Sequence, residues 1–368
     1  MRNVIIFDGN PKFFLGGGQV VTLSVMQALQ SSYHVHLIEM GRTPVFYRKA
    51  ESYFKSSLRL DFPSQTTDSK QSSYNVSWLE VLFFPFYFII GFIRTFIFLL
   101  KFDSSDTILY TASKKSHLLV YFLNMIFNYK VIAHAHTVDS KEALFFKIQK
   151  IVYQKFTTVL MPSTFMHEHF SLSNSITIEN STQIPDYFHK RYRGEPFRVG
   201  CISSLTLIKG IEYFIESYDK LSPSKDVKYI IAGTGREMKR LKALAKPDIH
   251  FLGHIDEKNQ FYNNVDLVVL PSIVPEAFGL VIIEAFVRGI PVVTTNIGAQ
   301  AELLERIQMD IGVPCMDAKA IAARVERFSD DFDYYTKKSE MVRKNAKVFS
   351  SECFDIKINN IFNNCLCS

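Results

Sequence analysis

The chain has no CxxC pair and only five cysteines, Cys201, Cys315, Cys353, Cys365 and Cys367. That odd count and open spacing argue against a disulfide framework or a cysteine-rich zinc site, and fit a reducing, cytosolic compartment. Massed basic residues are also missing: 42 Lys and Arg against 36 Asp and Glu leave a formal charge of +6, dispersed along 368 residues. So mild an excess speaks against a nucleic-acid partner and leaves an anionic membrane or a phosphorylated substrate open. The apolar run in "MRNVIIFDGN" is short and meets Asp8, so it reads as a strand and not as a secretory leader. No short-period repeat is present. With 47% aliphatic and aromatic residues and 21% charged ones, the chain is neither disordered nor collagen-like and has material for two large cores.

What is there is an alternation. "NVIIFDGN", the glycine segment Gly16–Gln19, the apolar helix "VVTLSVMQALQ" and the strand "HVHLIEM" open a doubly wound α/β domain. "DTILYTA", "HLLVYFLNMIF", "YKVIAHAH", "KEALFFKIQKIVYQKF" and "TTVLMPS" continue it. Between about Asn180 and Pro196 the pattern breaks into proline and polar residues, which marks a linker. The alternation then restarts at "FRVGCIS" and runs through "VKYIIAG", "IHFLG", "VDLVVLPS" and "IPVVTT" to a helical tail. The expected fold is α/β with two Rossmann-like domains, 1–190 and 191–350, and a helical tail 351–368 placed to pack back on the first. Two such sheets leave a cleft, and ligands gather beyond the C-terminal ends of the strands.

The stretch 81–100, "VLFFPFYFIIGFIRTFIFLL", is long enough to span a bilayer, with Arg94 and Thr95 as its polar residues. It can be a buried helix, a span, or a helix whose outer face lies in a membrane interface with Arg94 reaching the headgroups. The last is preferred, since α/β elements resume on both sides, and Phe92, Phe96 and Phe98 are the residues expected to face lipid.

The densest chemistry lies in "PEAFGLVIIEAFVRGIPVV", residues 275–293. Here a strand, a loop and a helix starting near Gly279 put the free N–H groups of Phe278, Gly279 and Leu280 where they suit a diphosphate. Glu276 precedes the helix and Glu284 lies one and a half turns inside it, so two carboxylates can hold hydroxyl groups on different parts of one ligand. The plain alternative is one helix-start glutamate and one solvated glutamate. "IIAGTG" and "FLGHI" taken alone are ordinary strand-end turns. His134 and His136 in "IAHAHTVDS" share a face at a strand end. The two H-x-H pairs, His134/His136 and His167/His169, do not read as a metal site, the second because it lies in an apparent helix where residues two apart diverge, and "DFD" at 331–333 reads as surface.

Glu276 and Glu284 separated by seven residues, with "PEAFGL" in front and "EAFVRGIPVVTTNIGAQAEL" behind, resemble retaining glycosyltransferase family 4, enzymes of the GT-B fold that use nucleotide sugars. The resemblance implies that Glu276 and the Ala277–Leu280 backbone face the donor sugar and diphosphate, and that Glu284 holds the ribose. It further implies that Lys209 in "LTLIKG" meets the diphosphate and that Gly233 lies under the nucleotide. Gly253, His254 and Ile255 contact the base, Gly17 and Gly18 lie near the donor phosphates and acceptor, and His136 faces the reacting sugar. Glu276, Lys209 and His136 thus become the expected catalytic set, with no metal or other cofactor. Ser204 departs from the family pattern, which places an arginine there. The implied activity is transfer of a hexose-type sugar to a saccharide acceptor, held on a lipid, in capsule or cell-surface polysaccharide synthesis. It would proceed at the cytoplasmic face of the membrane, with contact through residues 81–100. A nucleotide-sugar epimerase of the same fold, or a non-catalytic partner of another glycosyltransferase, are the alternatives.

Overall fold

Continuous apolar runs such as Val4–Phe7, every residue fully buried, form strands covered on both faces, as parallel sheets require. The structure is a computed structural model that describes residues 1–8, 15–41, 44–60, 78–186, 188–223 and 226–367, with only the backbone described at 44, 78–84 and 367. It divides into two units, residues 1–181 together with 351–368, and residues 182–350.

The first unit opens with β1 (Asn3–Asp8), α1 (Gly17–Leu29), β2 (His34–Glu39), α2 (Pro44–Ala50) and β3 (Ser56–Arg59). It continues through α3 (Trp78–Leu99), β4 (Thr107–Thr111), α4 (Lys114–Phe127) and β5 (Lys130–His134). Then follow α5 (Leu144–Gln154), β6 (Thr158–Met161), α6 (Thr164–Phe170) and β7 (Ser175–Thr177). The sheet has the order β3-β2-β1-β4-β5-β6-β7 and is parallel throughout. From β1 the chain steps one way to β2 and β3, and from β4 it steps the other way to β5 and β6. Right-handed crossovers therefore put α1 and α2 on one face and α4 and α5 on the other.

The second unit contains β8 (Phe197–Ile202), α7 (Ile211–Tyr218), β9 (Val227–Ala232), α8 (Met238–Leu244), β10 (Ile249–Gly253) and α9 (Lys258–Tyr262). Its second half contains β11 (Leu267–Leu270), α10 (Leu280–Phe286), β12 (Val292–Thr294), α11 (Gly298–Arg306), α12 (Ala318–Asp330) and α13 (Phe332–Asn345). Its parallel sheet has the order β10-β9-β8-β11-β12. The last helix, α14 (Ser351–Cys367), belongs to the first unit. It packs on α1, where Asn359 donates to the Ala28 carbonyl at 2.9 Å and Tyr33 donates to Asn363 at 2.6 Å.

Two sequence expectations need correction. Gly17 and Gly18 are not loop residues but the first turn of α1, which starts earlier than its apolar pattern suggests. Gln19 accepts the Gly16 N–H at 3.1 Å, a cap supplied from inside the helix, while residues 9–14 ahead of it lie outside the described residues. In α3 the outward residues are Phe86, Ile89, Ile93 and Ile97, whereas Phe96 packs on the Phe127 ring at 4.9 Å and Phe98 on Phe102 at 5.3 Å. In the second half of the helix these aromatic residues turn toward neighbouring rings, while Ile93 and Ile97 turn out. Among the described residues no helix is long and apolar enough to cross a membrane.

The proline-rich segment after Ser181 is strapped to the second unit by a buried acid. Asp266 accepts from His189 Nε2 at 2.7 Å, from the Arg198 backbone N–H at 2.8 Å and from Arg198 Nε at 3.3 Å. Burial would raise its pKa, but these bonds outweigh that and hold the carboxyl below the usual range. Asp266→Ala leaves His189 and Arg198 facing an empty buried site. It should cost about 3–5 kcal/mol of stability, measured by denaturant unfolding of the full chain.

Candidate functional site

Because β8, β9 and β11 are parallel neighbours, the loops that follow them crowd one edge of the second sheet. These loops are hydrogen-bonded to one another. Ser203 N–H donates to the Ala232 carbonyl at 3.1 Å, Leu205 N–H to Thr234 at 2.9 Å, Glu237 N–H to Leu205 at 3.1 Å and Ile273 N–H to Ile208 at 2.9 Å. Such close approach needs glycine. Gly233, at φ +126°, faces the Ser203 carbonyl oxygen so closely that a Cβ would overlap it, and Gly210, at φ +60°, faces Pro271 in the same way.

Lys209 ends the short 3₁₀ turn Leu207–Lys209 and aims its ammonium at Glu276, Nζ to Oε1 2.7 Å. Ser272 Oγ donates to the same oxygen at 2.6 Å. The Glu276 N–H is held by the side chain of fully buried Gln300 at 2.9 Å, and Thr295 ties down the Ser272 carbonyl at 2.7 Å. Burial pushes the Glu276 pKa up, but the Lys209 charge and the two hydrogen bonds outweigh it, so the carboxyl stays below its ordinary value and ionised. The two side chains remain 24% and 21% exposed, so a ligand can reach both.

Glu284 follows on α10, whose cap Gly279 sits at φ +107°. It is not a solvated glutamate: the residue is 7% exposed and accepts from Lys258 at 2.5 Å and from Tyr262 at 2.8 Å. The guanidinium of Arg288 stacks over the Tyr262 ring at 4.7 Å. Phe278 turns into the core against Phe349, which leaves the backbone of the 276–280 turn as its ligand-facing part.

The remaining candidates are placed as follows. Ser204 is exposed and supplies no charge. Gly253, at φ +73° with open space where a side chain would project, accepts the Gly233 N–H at 2.7 Å. His254 faces Asp256 at 3.2 Å, and Ile255 packs on the core. Ser272, Gln300, Lys258 and Tyr262 escaped the sequence reading. Of these, Lys258 and Tyr262 were legible, since four residues apart they share a helix face opposite an acid.

In the first unit, His136 lies just beyond β5 beside Gly18, where a Cβ would stand 3.2 Å from the ring Cδ2. Its ring is 4.3 Å from that of His134, which is fully buried and bonded to Tyr110 at 2.9 Å. Nε2 of His134, Nε2 of His136 and Nε2 of Gln19 are buried without a hydrogen-bond partner among the described residues. His117 completes the group, bonded to Thr111 and Tyr153. The second pair does diverge: His167 turns to Ser175 and His169 to the Asp139 carbonyl.

Residues 196–331 match the family model described as Glycosyl transferases group 1. An uncharacterized glycosyltransferase of Methanocaldococcus jannaschii is 32% identical over 153 residues, covering 40% of this chain and 38% of that one. The capsular polysaccharide biosynthesis glycosyltransferase CapM of Staphylococcus aureus is 29% identical over 174 residues, covering 44% of this chain and 45% of its own. The chain thus spans about two fifths of the length of these curated relatives. The crystal structure of Anabaena HepE in complex with UDP and glucose superposes over 100% of both chains with a TM-score of 0.80 at 18% identity. The fold is accordingly GT-B, with two parallel-sheet α/β units.

Burial lowers the pKa of His136 from 6.5 to about 4 and, with the neighbouring His136 and Lys114 charges adding to the effect, that of His117 to about 3. The unfolded chain binds protons on these rings near pH 6.5 while the folded chain does not. Stability should therefore fall as pH drops from about 6.5 toward 4, by about 1 kcal/mol per pH unit for each ring. Melting temperatures from pH 7 to pH 5 should decline less steeply in His117→Gln than in the unchanged protein.

Proposed function

We propose that this protein is a retaining glycosyltransferase that moves a hexose from a nucleoside diphosphate sugar to a saccharide acceptor carried on a lipid, in capsule or other surface-polysaccharide synthesis. The observation that carries the reading is the 2.7 Å ion pair of Lys209 and Glu276 at the strand-end edge of the second unit, with Glu284 one and a half turns further along. HepE, bound to UDP and glucose, and CapM, a capsule enzyme by name, support the same direction.

In this reading the arriving diphosphate draws Lys209 toward itself and leaves Glu276 free to accept hydrogen bonds from sugar hydroxyls. Glu284 holds the ribose, kept in place by Tyr262 and Lys258. As the sugar–phosphate bond breaks, the leaving diphosphate gains charge, which a preorganised ammonium stabilises without solvent reorganisation. Retention follows from attack on the face the phosphate leaves, with that phosphate taking the acceptor's proton. His136, neutral at physiological pH, offers a hydrogen bond to the sugar or acceptor without adding a cation. The cations are supplied by side chains, so no metal enters the scheme. The thiols of Cys201 and Cys315 are free, in keeping with a reducing, cytoplasmic setting.

Ser204 leaves the diphosphate one cation short. Arg236, exposed and bonded to no other described residue, follows Gly235 in the loop that is locked onto Leu205. Unlike Lys209, Lys258 and Arg240, it is committed to no internal acid among the described residues. It is assigned here to the leaving diphosphate.

A thermal-shift panel of nucleotide sugars should show one strong stabilising donor, and that donor should be consumed only when an acceptor is present. Conversion of the donor alone to an isomer would make the protein an epimerase, and no shift with any nucleotide sugar would end the reading. Lys209→Ala and Glu276→Ala should each lower kcat by about 10²–10³-fold while leaving the fold intact by circular dichroism. Unchanged activity in both would point to a non-catalytic role. Arg236→Ala should weaken nucleoside diphosphate binding about tenfold, ~1.4 kcal/mol, with Ser204→Arg restoring it in the same background.

A further inference from the structure

Soluble helices expose charge and bury their apolar stripe. Helices α4 and α5 bury one such stripe, through Leu119, Val120 and Leu123 and through Phe146, Val152 and Tyr153, but they and α3 also turn large apolar side chains outward. On α3, Phe86, Ile89, Ile93 and Ile97 recur at helical spacing and are 51–60% exposed. On α4, Met125 and Ile126 are 71% and 59% exposed. On α5, Leu144, Ile148 and Ile151 form a stripe at spacings of four and three, and Leu144 is 73% exposed. The three helices are contiguous. Phe88 of α3 meets Phe122 of α4 at 6.3 Å, and α4 packs on α5. Right-handed connections set α4 and α5 on the face of the first sheet opposite α1 and α14. The result is one apolar surface built from three helices, larger than the scattered apolar residues of an ordinary monomer surface.

Along the described parts of the three helices the charges have one sign, while Asp103 beyond α3 and Glu142 ahead of α5 are exposed acids at the border. The sequences of α4 and α5 hold no acidic residue, and neither does 85–101. Arg94, Lys101, Lys147 and Lys155 are exposed, Lys150 is half-exposed, and none of the five is in an ion pair among the described residues. A second copy of the chain meeting this face by two-fold symmetry would bring these cations together. An anionic bilayer answers both the apolar stripe and the cations, each cation near such a surface contributing about 1 kcal/mol. The long side chains can lie along the apolar face and lift their heads to the phosphates.

We propose that α3, α4 and α5 together form a docking face for an anionic phospholipid surface, with α5 rather than α3 alone supplying its lysine-rich rim. Lipid binding rests on this surface alone; its use, to hold the first unit where a lipid-linked acceptor is presented, rests on the proposed function. No segment crosses the bilayer in this arrangement: the helices lie in the interface with their outer faces among the headgroups.

The test is co-sedimentation of the full chain with vesicles of phosphatidylcholine alone and of phosphatidylcholine containing phosphatidylglycerol. The unchanged protein should bind the anionic vesicles at least tenfold better. Ile148→Ser with Ile151→Ser, changes at exposed positions that leave the melting temperature alone, should reduce that binding at least fivefold. Lys147→Glu with Lys150→Glu should abolish the preference for phosphatidylglycerol. Full binding by both α5 variants would overturn the three-helix face. So would a protein that stays in the supernatant with either vesicle, or a dimer in sedimentation velocity that the isoleucine changes dissolve. Donor titration keeps the two ideas apart. A protein that binds a nucleotide sugar but no vesicle sinks the docking face only, and one that binds vesicles but no nucleotide sugar sinks the enzymatic reading only.

Discussion

A half-exposed carboxylate facing a half-exposed ammonium is the contact on which the second unit's edge depends. Burial disfavours the Glu276 charge and Lys209 offsets that cost, yet each side chain is also held by a separate framework. Glu276 is fixed by Ser272 and Gln300, and Lys209 by the turn that Gly210 closes. Such an arrangement stores two opposite charges that a ligand bearing both phosphate and hydroxyl groups can separate and use. A neutral sugar could satisfy only the acid, and a bare phosphate only the base. In the proposed function the site thus suits a molecule that carries both, a few ångströms apart.

The same logic repeats at Glu284, with a different balance. There the carboxylate is buried, and its lysine and tyrosine are as much positioning groups as partners. Burial raises the Tyr262 hydroxyl well above its ordinary pKa, with the Glu284 charge adding to the effect, so it stays a proton donor to the acid. A hydroxyl pair arriving at this acid must share it with Tyr262, which fixes the orientation of whatever binds. Glycine at 210, 233 and 279 brings the backbones close enough for all of this. At each, positive φ combines with a neighbouring atom that leaves little or no room for a side chain.

Much of this was legible in the sequence, for identifiable reasons. Fully buried parallel strands are unmistakable as apolar runs, so the alternation and the restart after the linker could be read directly. The acid at 284 was readable because a charge inside an apolar helix demands a partner, and that at 276 through its place at the helix start and the motif around it. Short edge elements were not: α2, β3 and β7 are seven, four and three residues long and too brief to show a period. The start of α1 was missed because its cap comes from Gln19 within the helix, which no N-terminal residue announces. The outward face of α3 was misjudged for a further reason. In a helix that is apolar all round, composition says nothing about orientation, and only the rings of Phe102 and Phe127 decide which side turns in. Gln300 and Ser272 act through single hydrogen bonds formed by chain folding, and such pairs leave no trace in spacing.

The central claim is that the two acids grip opposite ends of one donor, Glu276 the sugar and Glu284 the ribose. Calorimetric titration of a nucleotide sugar and of its nucleoside diphosphate into Glu276→Ala and Glu284→Ala tests it most directly. Loss of Glu284 should weaken both ligands to the same degree, while loss of Glu276 should weaken the sugar-bearing ligand and spare the diphosphate. Equal effects of the two changes on both ligands, or no effect of either, would contradict the account.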